Sequence, residues 1–330
     1  MRALQLVSDR KLELVTLPDP DAPGAGEVQI RVKALALNHI DVWGWRGMAF
    51  AKRKMPLVVG AEAAGEIVAL GADVRGLKVG QTVAMYGAMT CGHCKNCLKG
   101  RDNLCENVGG VLGFHIDGFA RDIINMPERL VIPAPEGVSF EDAACAGITF
   151  STVEHMLFDN AKLEKGETVL VHAGGSGIGS AAIRLAKDVG ATVITTVVLG
   201  ADHVINYREE RFEHMVRKIT KKVGVDVVFE HVGADTWNGS LLSMKPGGRL
   251  VTCGSTSGVS VNMNLMQLFQ RQYHILGSFG ATIRNVADGL QKMGRGVLPV
   301  IDSVVALENF NEGLERLESR KVFGKIVVRF

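Results

Sequence analysis

The stretch T168-V-L-V-H-A-G-G-S-G-I-G179 constrains the fold more than any other, because an apolar strand runs into a glycine-rich turn that opens directly onto the apolar helix Ser180–Val189. Glycines let a backbone approach a pyrophosphate closely, and the first turn of a helix offers unpaired N–H groups and a favourable dipole to the phosphate charge. A glycine turn alone is weak evidence, since many are only turns. Here the strands Ala191–Val197, Val225–Glu230 and Arg249–Cys253 continue the pattern, which predicts an α/β segment built on a doubly wound parallel sheet. Gly174, Gly175, Ser176, Gly177, Ile178 and Gly179 are the expected pyrophosphate cradle. The C253-G-S-T256 turn ends another strand, at the edge where ligands of such sheets sit, so Gly254 and Ser255 are further cofactor candidates.

The pattern breaks at the next crossover. A parallel connection needs about a dozen residues or more, yet strand Ala191–Val197 is followed only by Val198-Leu-Gly-Ala-Asp202 before the apolar stretch His203–Asn206. About ten to fifteen residues are therefore expected to be absent between Val197 and Val198, as an omitted disordered segment; an ordinary peptide junction in a parallel sheet lacking the helix would instead mean a deletion. The residue that best separates NAD from NADP falls in this interval and is not visible.

Up to about residue 130 the rhythm is different. Glu27–Ala34, Glu66–Leu70 and Thr82–Met85 are short apolar or alternating runs bounded by Gly, Pro and Asp, which predicts a β-rich domain. It carries Cys91, Cys94, Cys97 and Cys105 in a C-x2-C-x2-C-x7-C spacing, which can close a tetrahedron around one structural Zn²⁺ and leaves no open position for a substrate. Lys95, Lys99 and Arg101 partly offset the charge of four thiolates on zinc. Disulfides fit poorly with a chain that shows no secretory start, and the usual bacterial iron–sulfur run has a shorter last interval followed by proline.

A net charge of +2 gives no basic face for nucleic acid, and no apolar run approaches the roughly 20 residues that cross a bilayer. The expectation is a cytoplasmic protein with no nucleic-acid or membrane partner. Lys52, Arg53 and Lys54 form a basic run that reads as a solvated loop, or as an attraction for an anionic substrate such as a coenzyme A thioester.

Taken together, N38-H-I-D41, G60-A-E-A-A-G65, the four-cysteine loop, A144-C-A-G-I-T149 and the glycine turn resemble the medium-chain dehydrogenase/reductase superfamily over essentially the whole chain. The resemblance implies a GroES-like β-barrel catalytic domain from residues 1–146 and 282–330 around a Rossmann domain at 147–281. It also implies a homodimer or dimer of dimers, joined near His274–Gly280. Zinc alcohol dehydrogenases of that superfamily draw catalytic ligands from places that here hold Asn38, Ala61 and Cys145, and an alanine methyl cannot coordinate zinc while an amide is a poor donor. Ile40 stands where those enzymes place a proton-relaying hydroxyl. The wording L37-N-H-I-D41, G-A-E-A-A-G and I205-N-Y-R-E-E210 is closer to the quinone oxidoreductase (zeta-crystallin-like) branch, which uses NADPH and no catalytic metal but normally lacks the cysteine loop.

The resulting expectation is hydride transfer from NADPH, with NADH as the alternative, to a quinone or α,β-unsaturated carbonyl. The competing readings are a zinc alcohol dehydrogenase with altered ligands and a cofactor-binding protein with little turnover. Asn38 is expected to donate to the substrate oxygen, Trp43 to pack a flat substrate and Asp41 to organise the loop. By resemblance, His39, Ile40, Thr149, Tyr207 and Lys325 lie along the cofactor. Lys325 reads equally well as a surface lysine, and Cys145 as a small buried apolar residue.

Overall fold

The computed structural model describes residues 1–48, 53–196, 199–206 and 209–330. The Val197–Val198 junction, Lys52 and Tyr207 lie outside the described residues. Contacts divide the chain into one unit of Met1–Ser151 with Ala281–Phe330 and a second of Thr152–Gly280, against boundaries expected at 146/147 and 281/282.

The first unit is built on the strand Glu27–Ala36. Its Val28, Ile30, Val32 and Ala34 alternate into the core and are at most 1% exposed. It pairs antiparallel with Ala63–Leu70, Ile123–Pro127 and Lys325–Arg329, and register shifts at Gln29/Ile30 and Val32/Ala34 bend it. The seven-stranded sheet runs Ile301–Ala306, Lys325–Arg329, Glu27–Ala36, Ala63–Leu70, Thr82–Met85, Val131–Pro133, with Ile123–Pro127 beside the third. A smaller sheet joins Lys11–Thr16, Arg2–Ser8 and Leu57–Val58.

The second unit holds six parallel strands in the order His203–Val204, Thr192–Thr195, Thr168–Val171, Val225–Glu230, Met244–Thr252, His274–Gly277. Numbered by sequence this is 3-2-1-4-5-6, the Rossmann order, with its reversal between Thr168–Val171 and Val225–Glu230. Helix Gly177–Asp188 starts earlier than the expected Ser180, because Ser176 caps it by accepting the Gly179 N–H at 2.9 Å. Strand Met244–Thr252 likewise begins before the expected Arg249.

No helix among the described residues separates Thr192–Thr195 from His203–Val204, although the two strands are parallel neighbours. Asp202 closes the short connection by taking the Lys187 ammonium at 2.8 Å and the Val193 N–H at 2.7 Å. The third strand has shrunk to two exposed residues. No described helix is long and apolar enough to cross a membrane.

At the reversal point the sheet carries a buried polar chain. Glu230 accepts from Val232 N (2.7 Å), Gly233 N (3.1 Å), Thr236 Oγ1 (2.8 Å) and Ser240 Oγ (2.8 Å). The one Ser240 proton goes to Glu230, so His172 Nε2, 2.8 Å from the same hydroxyl, is its donor, and the imidazole is the neutral Nε2–H tautomer. Burial draws the pKa of His172 down to about 4, against the opposing pull of Glu230.

An unfolded histidine titrates near 6.5. Between that pH and about 4 the unfolded chain binds a proton that the folded one does not, so stability falls as pH is lowered through this window. His172→Gln is expected to flatten that slope by up to ~1.4 kcal/mol per pH unit. Denaturant midpoints from pH 7 to 4 check this, and equal slopes for both proteins would place the histidine's proton elsewhere.

Candidate active site and metal centre

In the first unit the residues expected to carry chemistry converge on Glu62, whose side chain is wholly buried. It lies in the apolar run G60-A-E-A-A-G65, just before strand Ala63–Leu70. Its Oε1 accepts the N–H groups of Ile148 and Thr149, both at 2.6 Å, from the first turn of the helix Ala146–Phe150. A carboxylate at the positive end of a helix is favourably placed. Gly147 permits this approach, since a Cβ there would stand 2.6 Å from Met85 O. Oε2 accepts from Asn38 Nδ2 (2.8 Å), Thr149 Oγ1 (3.0 Å) and Lys325 Nζ (3.2 Å). Lys325 also donates to Leu37 O and to Asn38 Oδ1, both at 2.7 Å. Removing one partner of such an enclosed pair costs about 3–5 kcal/mol, because the other charge is left without water or a counterion.

This network changes the reading of three expected site residues. Asn38 was expected to donate to a substrate oxygen, but its two amide protons are engaged by Glu62 and by Ala36 O at 3.0 Å, while its oxygen faces the Lys325 ammonium. The amide cannot be turned round, because Lys325 only donates and the other two partners only accept. Thr149 and Lys325 were expected along the cofactor; both are buried with their polar atoms on Glu62, and Lys325 is no surface lysine.

Asp41, expected to organise the loop, lies in the first turn of helix His39–Trp45. Its carboxylate accepts from Asn38 N at 2.8 Å and Ala61 N at 3.1 Å and so fixes the start of helix His39–Trp45. Burial pushes its pKa up to about 7 against those two N–H bonds. On the same helix His39 is exposed and Ile40 and Trp43 are half-buried.

The places that would have to supply a catalytic zinc do not form a donor set. Asn38 presents its oxygen to an ammonium, Ala61 has no donor atom, and the buried Cys145 thiol, raised by desolvation, points to Glu141 O at 3.6 Å. Sequence reasoning missed Glu62 and Lys325 as a pair. The signal was present: a lone charge inside an apolar run, once at G60-A-E-A-A-G65 and once at F323-G-K-I-V-V328, demands a buried partner.

In the second unit the turn after Thr168–Val171 fits a dinucleotide. Ala173 takes a left-handed φ of 43°, and at Gly179 a Cβ would lie 2.2 Å from Ala173 O, so a side chain would push the turn open. Gly174, Gly175, Ser176, Gly177 and Ile178 form the rest of that turn and the helix start, at the carboxyl edge of the central strand. Gly254 and Ser255 lie at the same edge, packed on the backbone of His231 and Gly233.

The four cysteines do come together. All four sulfurs lie within 4.8 Å of one another, with Cys94–Cys97 at 3.5 Å and Cys91–Cys97 at 3.9 Å. Four sulfurs at about 2.3 Å from zinc stand roughly 3.8 Å apart, so the cage fits that ion. The N–H groups of Cys91 and Cys94 donate to sulfurs at 3.2 and 3.3 Å. The N–H of Cys97, with that of Glu106, draws Cys94 down to about 6, while desolvation and the neighbouring thiols push Cys97 up to about 12. Four sulfurs this close cannot all ionise without a cation. Among the described residues this is the one such cluster of metal-binding side chains. The loop also holds structure beyond itself, since Asp102 accepts the Ile283 N–H at 2.8 Å and caps the helix Ile283–Met293.

Known proteins agree with both units. Residues 24–136 match the family described as "Alcohol dehydrogenase GroES-like domain" and residues 177–295 match "Zinc-binding dehydrogenase". The chain is 30% identical to an acryloyl-coenzyme A reductase of Sulfurisphaera tokodaii, with 96% of each chain covered. It is also 30% identical to an L-threonine 3-dehydrogenase of Yersinia enterocolitica, covering both chains fully over 353 aligned positions, 23 more than this chain has. A relative of full coverage thus carries sequence that this chain lacks. A solved structure described as an NAD-dependent alcohol dehydrogenase superposes with a TM-score of 0.94 at 37% identity, covering all of both chains.

If the cysteine cage holds zinc, elemental analysis should find about one ion per chain. In Cys97→Ser the content should fall towards zero and Tm should drop, since the loop would release its cap on Ile283. Full retention of metal in that variant would mean another donor set.

Proposed function

Because this chain belongs to the medium-chain dehydrogenase/reductase superfamily, we propose that it reduces an α,β-unsaturated carbonyl or quinone with a nicotinamide dinucleotide and no catalytic zinc. The observation that carries this reading is the buried Lys325–Glu62–Asn38 network where alcohol dehydrogenases keep ligands. Oxidising a simple alcohol needs its alkoxide stabilised, and a Lewis acid normally does that. A conjugated acceptor spreads the incoming charge to a carbonyl oxygen, which hydrogen bonds and a solvent proton satisfy. The relative named for acryloyl-coenzyme A reduces that kind of acceptor by its name, which supports the same class here.

The Gly174–Gly179 turn would hold the cofactor pyrophosphate, and Gly254 and Ser255 would line its edge. When bound, the reduced nicotinamide supplies the hydride, and resemblance to the quinone oxidoreductases favours NADPH. Within the first unit Glu62 and Asp41 hold helix His39–Trp45 still, and Trp43 offers an apolar face to a flat substrate. Asn38 serves as a positioning residue, since neither of its amide protons is available to substrate.

A cytoplasmic homodimer or dimer of dimers completes the proposal. The strand His274–Gly277 ends the six-stranded sheet with one side unpaired, and Leu265, Phe269 and Phe279 beside it in sequence are each about two-thirds or more exposed. Light scattering at micromolar concentration should give twice or four times 35.4 kDa, and a monomer would refute this.

Activity decides the central claim. NADPH oxidation is expected with enones or quinones, surviving removal of any metal beyond the cysteine-bound ion. Alcohol-dependent reduction of NAD⁺ or NADP⁺ that vanishes with a second zinc would overturn it.

A further inference from the structure

We propose that Arg53, with His115, forms an anion-recognition pair that makes this site prefer conjugated acceptors carrying a carboxylate or phosphate over neutral ones. The proposal rests on the preceding reading for the reaction, and adds the substrate's charge.

Arg53 follows the helix that begins at Asn38, and its Nη2 donates to Gly44 O at 2.6 Å, which anchors the guanidinium at the far end of that helix. By a 1.5 Å rise per residue, this is about 9 Å along the axis from Asn38. Its Nη1 is shut off from solvent and has no hydrogen-bond partner among the described residues. No carboxylate of the described residues pairs with it. A buried donor on a charged group carries a desolvation cost while it lacks an acceptor, and an anion held there would offset it.

The surroundings suit an anion. A Cβ on Gly44 would lie 3.3 Å from Arg53 Nη1 and 3.2 Å from Phe114 Cδ2, so guanidinium and ring meet over the same backbone atom. His115 stands edge-on to Phe114 at 4.8 Å between ring centres. Its Nδ1 accepts the Val111 N–H at 3.2 Å, so the neutral ring carries its proton on Nε2 and offers a second donor. Desolvation and the nearby Arg53 charge hold His115 in that neutral form. Phe114 follows Gly113, which packs on Gly60, next to the Ala61–Glu62 turn. A cation and a neutral N–H donor thus flank an aromatic wall, both within the first unit. The basic run first read as a solvated loop therefore holds one residue turned inward.

The test compares 4-oxopent-2-enoate with its methyl ester, which share one acceptor and differ by one charge. The ratio of kcat/KM for the acid over the ester should exceed about 10 in the native enzyme and fall towards one in Arg53→Met, because a charged hydrogen bond contributes on the order of 10- to 100-fold. Arg53→Lys should keep part of the ratio. The ratio cancels any loss of folded enzyme. A parallel pair, crotonyl-coenzyme A and the crotonyl thioester of N-acetylcysteamine, separates phosphate from carboxylate as the source of the anion. A ratio near one in the native enzyme for both pairs, or one unmoved in Arg53→Met, overturns the proposal while leaving enone reduction standing. If no conjugated acceptor is reduced, the reaction assignment fails instead. Calorimetric binding of 4-oxopent-2-enoate to native and Arg53→Met protein then still decides, with equal affinity overturning the role of Arg53.

Discussion

A carboxylate cut off from water has to be answered entirely by protein, and in the first unit that requirement falls on Glu62. Its answers come from three separate stretches: the loop after strand Glu27–Ala36, the helix start at residues 146–149, and strand Lys325–Arg329. None of them can shift by much without breaking a short bond to the same two oxygens. Loop position, helix direction and strand register are thereby coupled. The fixed entry to helix His39–Trp45 follows from this, and with it the places of Trp43 and Gly44.

Much of this was legible in the sequence, unevenly and for physical reasons. The second unit read well because its signals are local: an apolar strand, a turn only glycine tolerates, a helix with its own cap. The cysteine cage was legible because its four ligands lie within fifteen residues, short enough for spacing to imply closure. The missing crossover helix could be argued from chain length alone, and among the described residues no helix stands between the parallel neighbours Thr192–Thr195 and His203–Val204. Whether the Val197–Val198 junction is an ordinary peptide lies outside the described residues.

The polar network read poorly, because its partners are far apart in sequence. Lys325 reaches Glu62 across 263 positions, and nothing near Lys325 distinguishes it from a surface lysine except its apolar neighbours. The amide of Asn38 was assigned to substrate because its sequence neighbours show none of its three-dimensional partners. Arg53 is the converse case, since two flanking lysines suggested solvent while the fold turned its guanidinium onto a backbone carbonyl. The cysteine cage and the Glu62 network share no residue.

The strand order of the first sheet also sets a timetable for synthesis. Strand Lys325–Arg329 sits between Glu27–Ala36 and Ile301–Ala306, yet Lys325 leaves the ribosome 288 positions after the Leu37 carbonyl it binds. At roughly 5–20 residues per second that interval is on the order of 15–60 s. Throughout it the N-terminal half of the sheet has an open edge and an acidic group without its ammonium. The segment Thr152–Gly280, whose sheet pairings are internal, is fully emerged before then and is free to fold first. The host unit is thus finished after its guest, and nascent chains pass through a stage with an unpaired strand edge exposed.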